Sequence, residues 1–182
     1  MTLWLRLILL ILLTPFQSRV KPSEDVSQRR RVLPTDTDLN FHMTNSRYAS
    51  FADLARLGLM FRSGLLTTAY RNGWRPMLMA SKIRFRRELK PFQSFRVETR
   101  LRWWNDTSAI FELRFIGRGR DGGEILAANI LERGVFYSRK EKRFVQLSEV
   151  LAAMGAPPVE PPEPTPEIVA FAKAEEEMRR AV

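Results

Sequence analysis

Three polar residues at alternating positions, Asp38, Asn40 and His42, stand directly before an amphipathic run, and His42 is the only histidine among 182 residues. A carboxylate placed there can act as a general base toward water or attack an electrophile itself, while an amide and an imidazole can orient the reacting groups. If the run that follows is a helix, its first backbone N–H groups can hold a developing oxyanion. The pattern therefore indicates hydrolysis of an activated acyl group.

The same residue types also cap helices without any catalytic role. Asp38 and Asn40 can close a polar turn, and His42 can hydrogen-bond that turn. Spacing alone leaves the capping and the catalytic interpretations both open.

The amphipathic run predicts a helix from Tyr48 onward, because its apolar residues recur at helical spacing. Residues Thr44 to Ser46 supply three candidate N-caps. Gly58 and Gly64 can divide the run into two helices, and Asn72-Gly73 ends it. The apolar positions that define the buried face are Phe51, Leu54, Ala55, Gly58, Phe61 and Leu65.

After this helix the hydrophobic pattern alternates at every second residue, which predicts half-buried antiparallel strands. Met77–Phe85 and Phe95–Trp103 form the first two strands, with their apolar residues on the buried side, and residues 108–116 and 124–138 form the next two. A first strand around Gln28–Leu33 precedes the polar cluster. We therefore predict an α+β fold in which an antiparallel sheet packs against a long helix.

Composition limits the chemistry. The chain has no cysteine and one histidine, which excludes disulfides, thiolate metal sites and histidine-rich metal sites, so we expect no metal and no cofactor. Thirty Lys and Arg against twenty Asp and Glu give a formal charge of +10. Such a charge predicts attraction to phosphate groups, anionic lipid, nucleic acid or an acidic partner.

The N-terminal residues 1–22 read as a membrane-directed segment. Residues 3–13 are apolar except for Arg6, and a basic triplet follows at Arg29–Arg31. The run is about half the length of a spanning helix, which favours a shallow anchor, and the basic residues after it favour the cytoplasmic side of a membrane. The alternative is a terminal helix packed on its own domain.

The C-terminal part changes composition abruptly. Six of the eleven prolines lie between Pro157 and Pro166, which predicts a semi-extended linker over residues 155–166. Thr165, Pro166 and Glu167 then supply an N-cap, an N1 proline and an early acid. We expect a folded domain at 23–154 and a C-terminal helix at 167–182.

Two further patterns have ordinary structural explanations. Gly117, Gly119 and Gly122 have the spacing of a dinucleotide-binding loop, but a strand follows them where that loop would open a helix, which indicates a hairpin tip. The arginines near Trp103 and Trp104 are compatible with a nucleic-acid surface, but their alternating positions favour a solvated or dimer-lining sheet face. These arginines are Arg84, Arg86, Arg87, Arg96, Arg100 and Arg102.

The segment TDTDLNFHMTNSRYASFADLAR resembles the signature of hotdog-fold acyl thioesterases. Residues Asp38–Asn45 are similar to the D-x-N-x-H-x-N-N run of plant acyl-ACP thioesterases, with Thr44 in place of the usual Asn. The residues that follow resemble the 4-hydroxybenzoyl-CoA thioesterase group and its relatives, including the thioesterase superfamily member 6 type with an apolar N-terminal segment. These residues are Tyr48, Phe51, Asp53, Ala55 and Arg56.

The resemblance covers about Arg29 to Gln146 and implies a homodimer that hydrolyses fatty-acyl-CoA or acyl-ACP thioesters. It implies that Asp38 is the base or nucleophile and that Asn40 and His42 belong to the catalytic set. Asp53 matches a helix acid of these families, although an acid three residues before Arg56 also suits a local ion pair. The substrate-binding residues that we expect are Thr44, Asn45, Ser46, Tyr48, Phe51 and Asp53.

Two other functions are compatible with the same sequence. A membrane-attached hotdog protein can bind acyl chains or phospholipid without turnover, and a basic protein can bind nucleic acid. The nucleic-acid function has the least support in the sequence, and we expect none.

Overall fold

The computed structural model describes residues 3–119 and 121–181. Two short 3₁₀ turns, at Thr14–Phe16 and Pro34–Asp36, join elements near the N-terminus. The helices are α1 (Leu3–Leu13), α2 (Asn45–Arg62), α3 (Leu65–Arg71), α4 (Leu147–Ala153) and α5 (Pro166–Arg180). The strands are β1 (Val26–Arg31), β2 (Trp74–Phe85), β3 (Ser94–Trp104), β4 (Ser108–Arg118), β5 (Glu124–Ser138) and β6 (Arg143–Phe144).

The strands form one antiparallel sheet in the order β1-β3-β4-β5-β2, with β6 paired to β5. Helix α2 packs its apolar side against one face of this sheet, as the helical spacing predicts. An antiparallel sheet around a long central helix is the hotdog arrangement, so the predicted fold class is confirmed. The shared core consists of side chains from α2, β3, β4 and β5, among them Phe51, Leu54, Ala55, Phe95, Val97, Leu113, Phe115 and Ile130.

The two glycines of the helical run behave differently. Gly64 has a φ of 80°, a left-handed conformation that suits glycine, and it separates α2 from α3. Gly58 does not divide the helix, because it lies within α2. Its missing side chain leaves room for Gln28 of β1, which donates a hydrogen bond to the Ala55 carbonyl over 2.9 Å.

The strand predictions hold in position but need correction in burial. On β2, Met77, Met79 and Phe85 are exposed, because β2 is an edge strand. On β3, Trp103 packs with Ile110 of β4 and with α5, on the face opposite α2, because a register shift between Leu101 and Trp103 changes the alternation. The first strand begins and ends two residues earlier than expected, at Val26 and Arg31.

The outward arginines of β3 form ion pairs. Arg96 contacts Glu98 and Glu124, and Arg102 contacts Glu112. The glycine-rich segment connects β4 to β5, so its prediction as a hairpin tip is confirmed; Arg120 within it lies outside the described residues.

Helix α5 covers part of the outer face of the sheet. Ile168 and Phe171 are buried against Ile110 and Leu131 of the sheet. The linker before α5 also contacts the domain, because the Trp104 indole donates to the Val159 carbonyl over 3.2 Å.

Helix α1 lies on the folded domain with one side inward. Arg6 and Leu10 are buried, and Leu7 packs against the main core. Within residues 3–119 and 121–181, no helix combines the length and apolar character that crossing a bilayer requires.

Candidate active site

The loop with Asp38, Asn40 and His42 connects the 3₁₀ turn at Pro34–Asp36 to α2. Its backbone closes on itself, because the Asp38 N–H donates to the His42 carbonyl and the Phe41 N–H donates to the Asp38 carbonyl, both over 3.0 Å. Phe41 has a φ of 57°, a left-handed conformation that tightens the turn. The loop therefore has a defined conformation.

The Asp38 carboxylate takes part in this turn through one oxygen. Its Oδ1 atom accepts hydrogen bonds from the backbone N–H groups of Asn40 (2.9 Å) and His42 (3.3 Å). Among the described residues, the second oxygen has no hydrogen-bond donor. The capping and catalytic interpretations of Asp38 are thus compatible, since one oxygen orders the turn and the other faces solvent.

The His42 side chain has a partner that the sequence did not indicate. Its Nε2 atom lies 2.7 Å from Oε2 of Glu88, on the connection between β2 and β3. Glu88 in turn contacts Lys90 over 3.3 Å. Glu88 is more than forty residues from His42 in the chain, and no spacing rule could link the two.

Asn40 is exposed, and within the described part of the chain its side-chain amide forms no hydrogen bond with Asp38 or His42. The loop therefore assembles Asp38 and His42 through the backbone and leaves the Asn40 amide facing solvent.

The start of α2 is adjacent to this loop. Thr44 occupies the N-cap position, but its hydroxyl lies 3.2 Å from the Ser46 hydroxyl and does not cap the helix. Within the described residues, the backbone N–H groups of Asn45 and Ser46 have no acceptor. Two uncapped donors at the positive end of a helix dipole can bind an anionic oxygen.

Tyr48 and Phe51 lie in the core. The Tyr48 ring packs between Phe85 and Phe115, with centroid distances of 5.2 and 5.1 Å. Burial raises the pKa of Tyr48 to about 12, although a hydrogen bond with the Leu89 backbone acts in the opposite direction. Substrate contact by Tyr48 and Phe51 remains a prediction.

Asp53 belongs to a three-residue ion cluster between α2 and β5. Arg56 lies 2.5 Å from Asp53 and also contacts Glu132, which is only 2% exposed. Burial raises the pKa of Glu132, whereas the charge of Arg56 lowers it. The local ion pair of Asp53 with Arg56 is present. The sequence pattern does not indicate Glu132 as a member, because this glutamate occupies a buried position of a strand.

A second ion pair lies at the base of the loop and was also not predicted. Arg6 of α1 contacts both carboxylate oxygens of Asp36, at 3.0 and 2.5 Å, and the Arg6 guanidinium lies 4.4 Å from the centre of the Phe51 ring. The same carboxylate accepts the Leu33 N–H over 2.9 Å. The only available signal was an arginine inside an apolar run, which requires a buried partner when the run packs on a domain.

The molecule contains an apolar cavity of about 740 Å³ between α2 and the sheet. Its volume lies within the usual range of small-molecule sites, about 300–1,000 Å³. Asp53 lines the cavity, whereas Asp38, Asn40 and His42 do not. Other lining residues include Leu54, Leu57, Met60, Leu101, Phe111, Gly134 and Val135.

Two apolar side chains of the loop are exposed. Leu39 is 98% exposed, and Phe41 is exposed beside it on the loop.

Within residues 3–119 and 121–181, no group of three or more His, Cys, Asp or Glu side chains is arranged to hold a metal ion.

The chain is similar in sequence to protein THEM6 of Xenopus laevis, with 34% identity over 142 residues, which is 78% of this chain and 64% of the relative. The chain thus matches less than two thirds of the length of this curated relative. In fold, it is similar to 4-hydroxybenzoyl CoA thioesterase from Pseudomonas sp. strain CBS-3, with a TM-score of 0.59 and 14% identity over 71% of this chain and 98% of that chain.

A gentisyl-coenzyme A thioesterase also has this fold, with a TM-score of 0.59 and 20% identity over 70% of this chain and 99% of that chain. The model of the Thioesterase-like superfamily matches residues 32–155, which begin directly after β1, extend past α4 and include the loop and strands β2 to β6. The chain belongs to the Thioesterase-like superfamily.

Proposed function

We propose that the protein is a thioester hydrolase that acts on a fatty-acyl-CoA or acyl-ACP substrate. The observation that carries this proposal is the position of the Asp38 carboxylate on a closed turn directly before the uncapped start of α2. A general base beside an oxyanion-binding helix start is the pair of functions that acyl transfer to water needs.

In the proposed reaction, the N–H groups of Asn45 and Ser46 polarise the thioester carbonyl. As a general base, Asp38 removes a proton from water as the water oxygen bonds to the carbonyl carbon, and it returns this proton to the sulfur as the C–S bond breaks. As a nucleophile, Asp38 bonds to the carbonyl carbon and the C–S bond breaks to give a thiolate and an acyl anhydride. Water then cleaves the anhydride, which releases the fatty acid, restores Asp38 and supplies the proton of the thiol. His42, held by Glu88, and Asn40 orient the reacting groups.

The apolar cavity supports a fatty-acyl substrate. Its walls come mainly from leucine, valine, methionine and phenylalanine side chains, which suit an alkyl chain. We propose that Thr44, Asn45 and Ser46 bind the thioester end of the substrate, and that Tyr48, Phe51 and Asp53 shape the path toward the chain.

We propose a homodimer as the active form. Leu39 and Phe41 are exposed on the loop, and the apolar side chains of the edge strand β2 are exposed as well. A second subunit could cover both regions, since an edge strand with exposed apolar residues favours pairing.

The basic surface supports recognition of the CoA phosphates or of an acidic carrier protein. We propose no nucleic-acid partner and no metal or cofactor. We further propose that residues 1–22 attach the protein to the cytoplasmic side of a membrane.

The test is hydrolysis of acyl-CoA and acyl-ACP of several chain lengths by the wild-type protein and by the Asp38→Asn variant. Asp106→Asn is a matched control, because Asp106 is an exposed loop aspartate away from the helix start. We expect a loss of at least about 100-fold in kcat for Asp38→Asn, as for removal of a general base, and no change for the control. Equal activity of the two variants would remove Asp38 from the mechanism.

A second candidate function is binding of acyl chains or phospholipid without turnover. It is favoured by the finding that the cavity is lined by Asp53 but by none of the three loop residues. Saturable binding of a fatty acid, with no hydrolysis of any thioester in the panel, would support it over the enzyme.

A further inference from the structure

We propose that the outer side of α1, together with Arg29, Arg31 and Arg62, is a docking surface for an anionic phospholipid bilayer, with α1 lying in the plane of the membrane. This inference rests on the membrane attachment proposed above and specifies its orientation and lipid class. It does not depend on thioester hydrolysis.

The inward side of α1 fixes how the helix is oriented. Arg6 is 9% exposed and Asp36 is fully buried, and the two form a two-point contact beneath the helix. Leu10 is buried one turn later. If α1 separated from the domain, the buried Asp36 carboxylate would lose its contact with the Arg6 guanidinium. Removing the partner of a buried charge is strongly destabilising. Helix α1 therefore stays packed on the domain through the side that carries Arg6 and Leu10.

The outward side of α1 is almost entirely apolar. Trp4 is 74% exposed and Phe16, just past the helix, is 87% exposed. Exposed apolar surface of this extent on a folded domain marks an interaction site, and tryptophan is enriched where proteins meet the membrane interface. The exposed apolar residues are Leu3, Trp4, Leu5, Ile8, Leu9, Ile11, Leu12, Leu13 and Phe16.

Arginines border this apolar surface. A cleft of about 680 Å³ runs between α1 and β1, with Leu9, Leu10 and Leu13 on one wall. The cleft is also lined by Arg29, Arg30 and Arg31 of β1 and by Arg62 at the end of α2. Among the described residues, none of these four arginines forms an ion pair with a carboxylate. Apolar and cationic walls side by side match the two parts of an anionic phospholipid, its acyl chains and its phosphate.

The positive charge of this surface favours an anionic bilayer over a second copy of the chain as its binding partner. The whole chain carries a formal charge of +10, and the border of this surface is itself basic. Two copies that met through it would bring like charges together, whereas an anionic membrane neutralises them.

The membrane-facing helix is connected to the candidate active site through a single residue. Asp36, which holds α1 through Arg6, accepts the Thr44 N–H on its backbone carbonyl over 3.0 Å. One residue thus contacts both the membrane-facing helix and the N-cap of α2. A hydrolase in this orientation would meet its substrate at the lipid surface.

The first experiment measures co-sedimentation of the full chain with vesicles of phosphatidylcholine alone or with added phosphatidylserine. We expect binding mainly to the anionic vesicles. Arg29→Gln with Arg31→Gln should weaken it by about 10- to 30-fold, on the usual contribution of each basic residue near such a surface. Trp4→Ser with Phe16→Ser should abolish most of the binding.

Matched controls come from α5. Arg179→Gln with Arg180→Gln removes two exposed arginines, and Val169→Ser with Met178→Ser removes two exposed apolar residues. We expect wild-type binding from both. Equal binding to the two kinds of vesicle, or equal loss in the controls, would overturn the proposal.

The second experiment measures depth by quenching of Trp4 fluorescence with lipids brominated near the headgroup or near the chain end, with Trp4→Phe to subtract the other tryptophans. An in-plane helix predicts stronger quenching by the shallow label, since such helices insert about 5–10 Å. Stronger quenching by the deep label would contradict it. If Trp4→Ser with Phe16→Ser instead dissociated an oligomer in light scattering, the surface would be a contact between copies.

Hydrolysis of a short, soluble acyl-CoA separates this inference from the proposed activity. We expect the α1 surface variants to retain it. In another outcome, neither the wild-type protein nor any variant hydrolyses the substrate, while the wild-type protein still binds anionic vesicles. In that case the enzyme proposal would fail and the docking-surface proposal would stand.

Discussion

The Nε2 atom of His42 lies 2.7 Å from Oε2 of Glu88, which joins the candidate catalytic loop to the connection between β2 and β3. This contact fixes the direction of the imidazole from outside the loop. If His42 orients a reacting group, Glu88 acts on the reaction only through it.

Replacing Glu88 by Gln should therefore lower kcat by roughly 10-fold with little change in KM, since a positioning contact supports the transition state more than substrate binding. Steady-state kinetics on the best acyl-CoA substrate measures both values. Glu176→Gln, in an exposed ion pair of α5, is the control and should be silent. A change in KM alone would argue that Glu88 contributes to binding and not to the orientation of His42.

Sequence patterns predicted most of the framework and part of the site. The alternation of β4 and of β3 up to Leu101, the break at Gly64 and the hairpin tip with Gly117, Gly119 and Gly122 are local features, and neighbouring residues predict each of them. The exposure of Met77 on β2 was not, because it depends on where the strand lies in the sheet.

The site was predictable where it is local and not where it is assembled. Asp38 and the start of α2 are close in the chain, and their adjacency follows from the motif. Glu88, Arg6 and Glu132 reach their partners through the tertiary fold, over separations at which spacing carries no information. An isolated charge in an apolar run, such as Arg6, indicates that a partner exists but does not identify Asp36.

The Arg6–Asp36 pair should contribute strongly to stability. Removing one member of a buried pair typically costs about 3–5 kcal/mol, so Arg6→Leu should lower the free energy of unfolding by about that amount. Arg47 lies 3.5 Å from the Asp36 carboxylate and would still partly neutralise it in the variant. We therefore expect a loss at the lower end of this range. Urea denaturation of the two proteins measures the difference.

The control for this pair is Arg143→Leu, because Arg143 pairs with Glu149 at the surface and exposed ion pairs contribute little to stability. The double variant Arg6→Leu with Asp36→Leu should recover part of the lost stability, because it removes the buried carboxylate but also removes the acceptor of the Leu33 N–H. If the single and double variants were equally unstable, packing of α1 and not the ion pair would dominate.

Two glutamates should affect the pH dependence of stability in opposite directions. Burial raises the pKa of Glu132 above its ordinary value, so its stabilising contribution is full below about pH 4.5 and is lost as the pH rises through the folded-state value. The Arg143 guanidinium lowers the pKa of Glu149 to about 2. The contribution of Glu149 is present above about pH 4.5 and is lost as the pH falls toward 2.

Denaturation midpoints measured between about pH 2 and 8 test both signs. Relative to wild type, Glu132→Gln should flatten the decline in stability above about pH 4.5, and Glu149→Gln should flatten the decline at lower pH. The contribution of Glu149 is small, because the pair is at the surface. Identical pH profiles for wild type and Glu132→Gln would show that Glu132 titrates as it does in the unfolded chain.

The cavity between α2 and the sheet should set the acyl chain length. Gly134 lines it, and a Cβ atom at this position would meet the Phe111 ring at an ordinary 3.6 Å, so a larger side chain can enter the cavity without a backbone clash. We expect the leucine of Gly134→Leu to fill part of the cavity and to lower kcat/KM for long acyl-CoA substrates by about 10-fold or more, because each excluded methylene loses about 0.8 kcal/mol of burial. Short acyl-CoA substrates should retain most of their kcat/KM. Ala49→Leu adds a leucine at an exposed position of α2 and should leave the chain-length profile unchanged. If Gly134→Leu lowered kcat/KM equally for all chain lengths, the acyl chain would lie elsewhere. Fatty-acid binding to Gly134→Leu and Ala49→Leu would then show whether the cavity holds a lipid that is not a substrate.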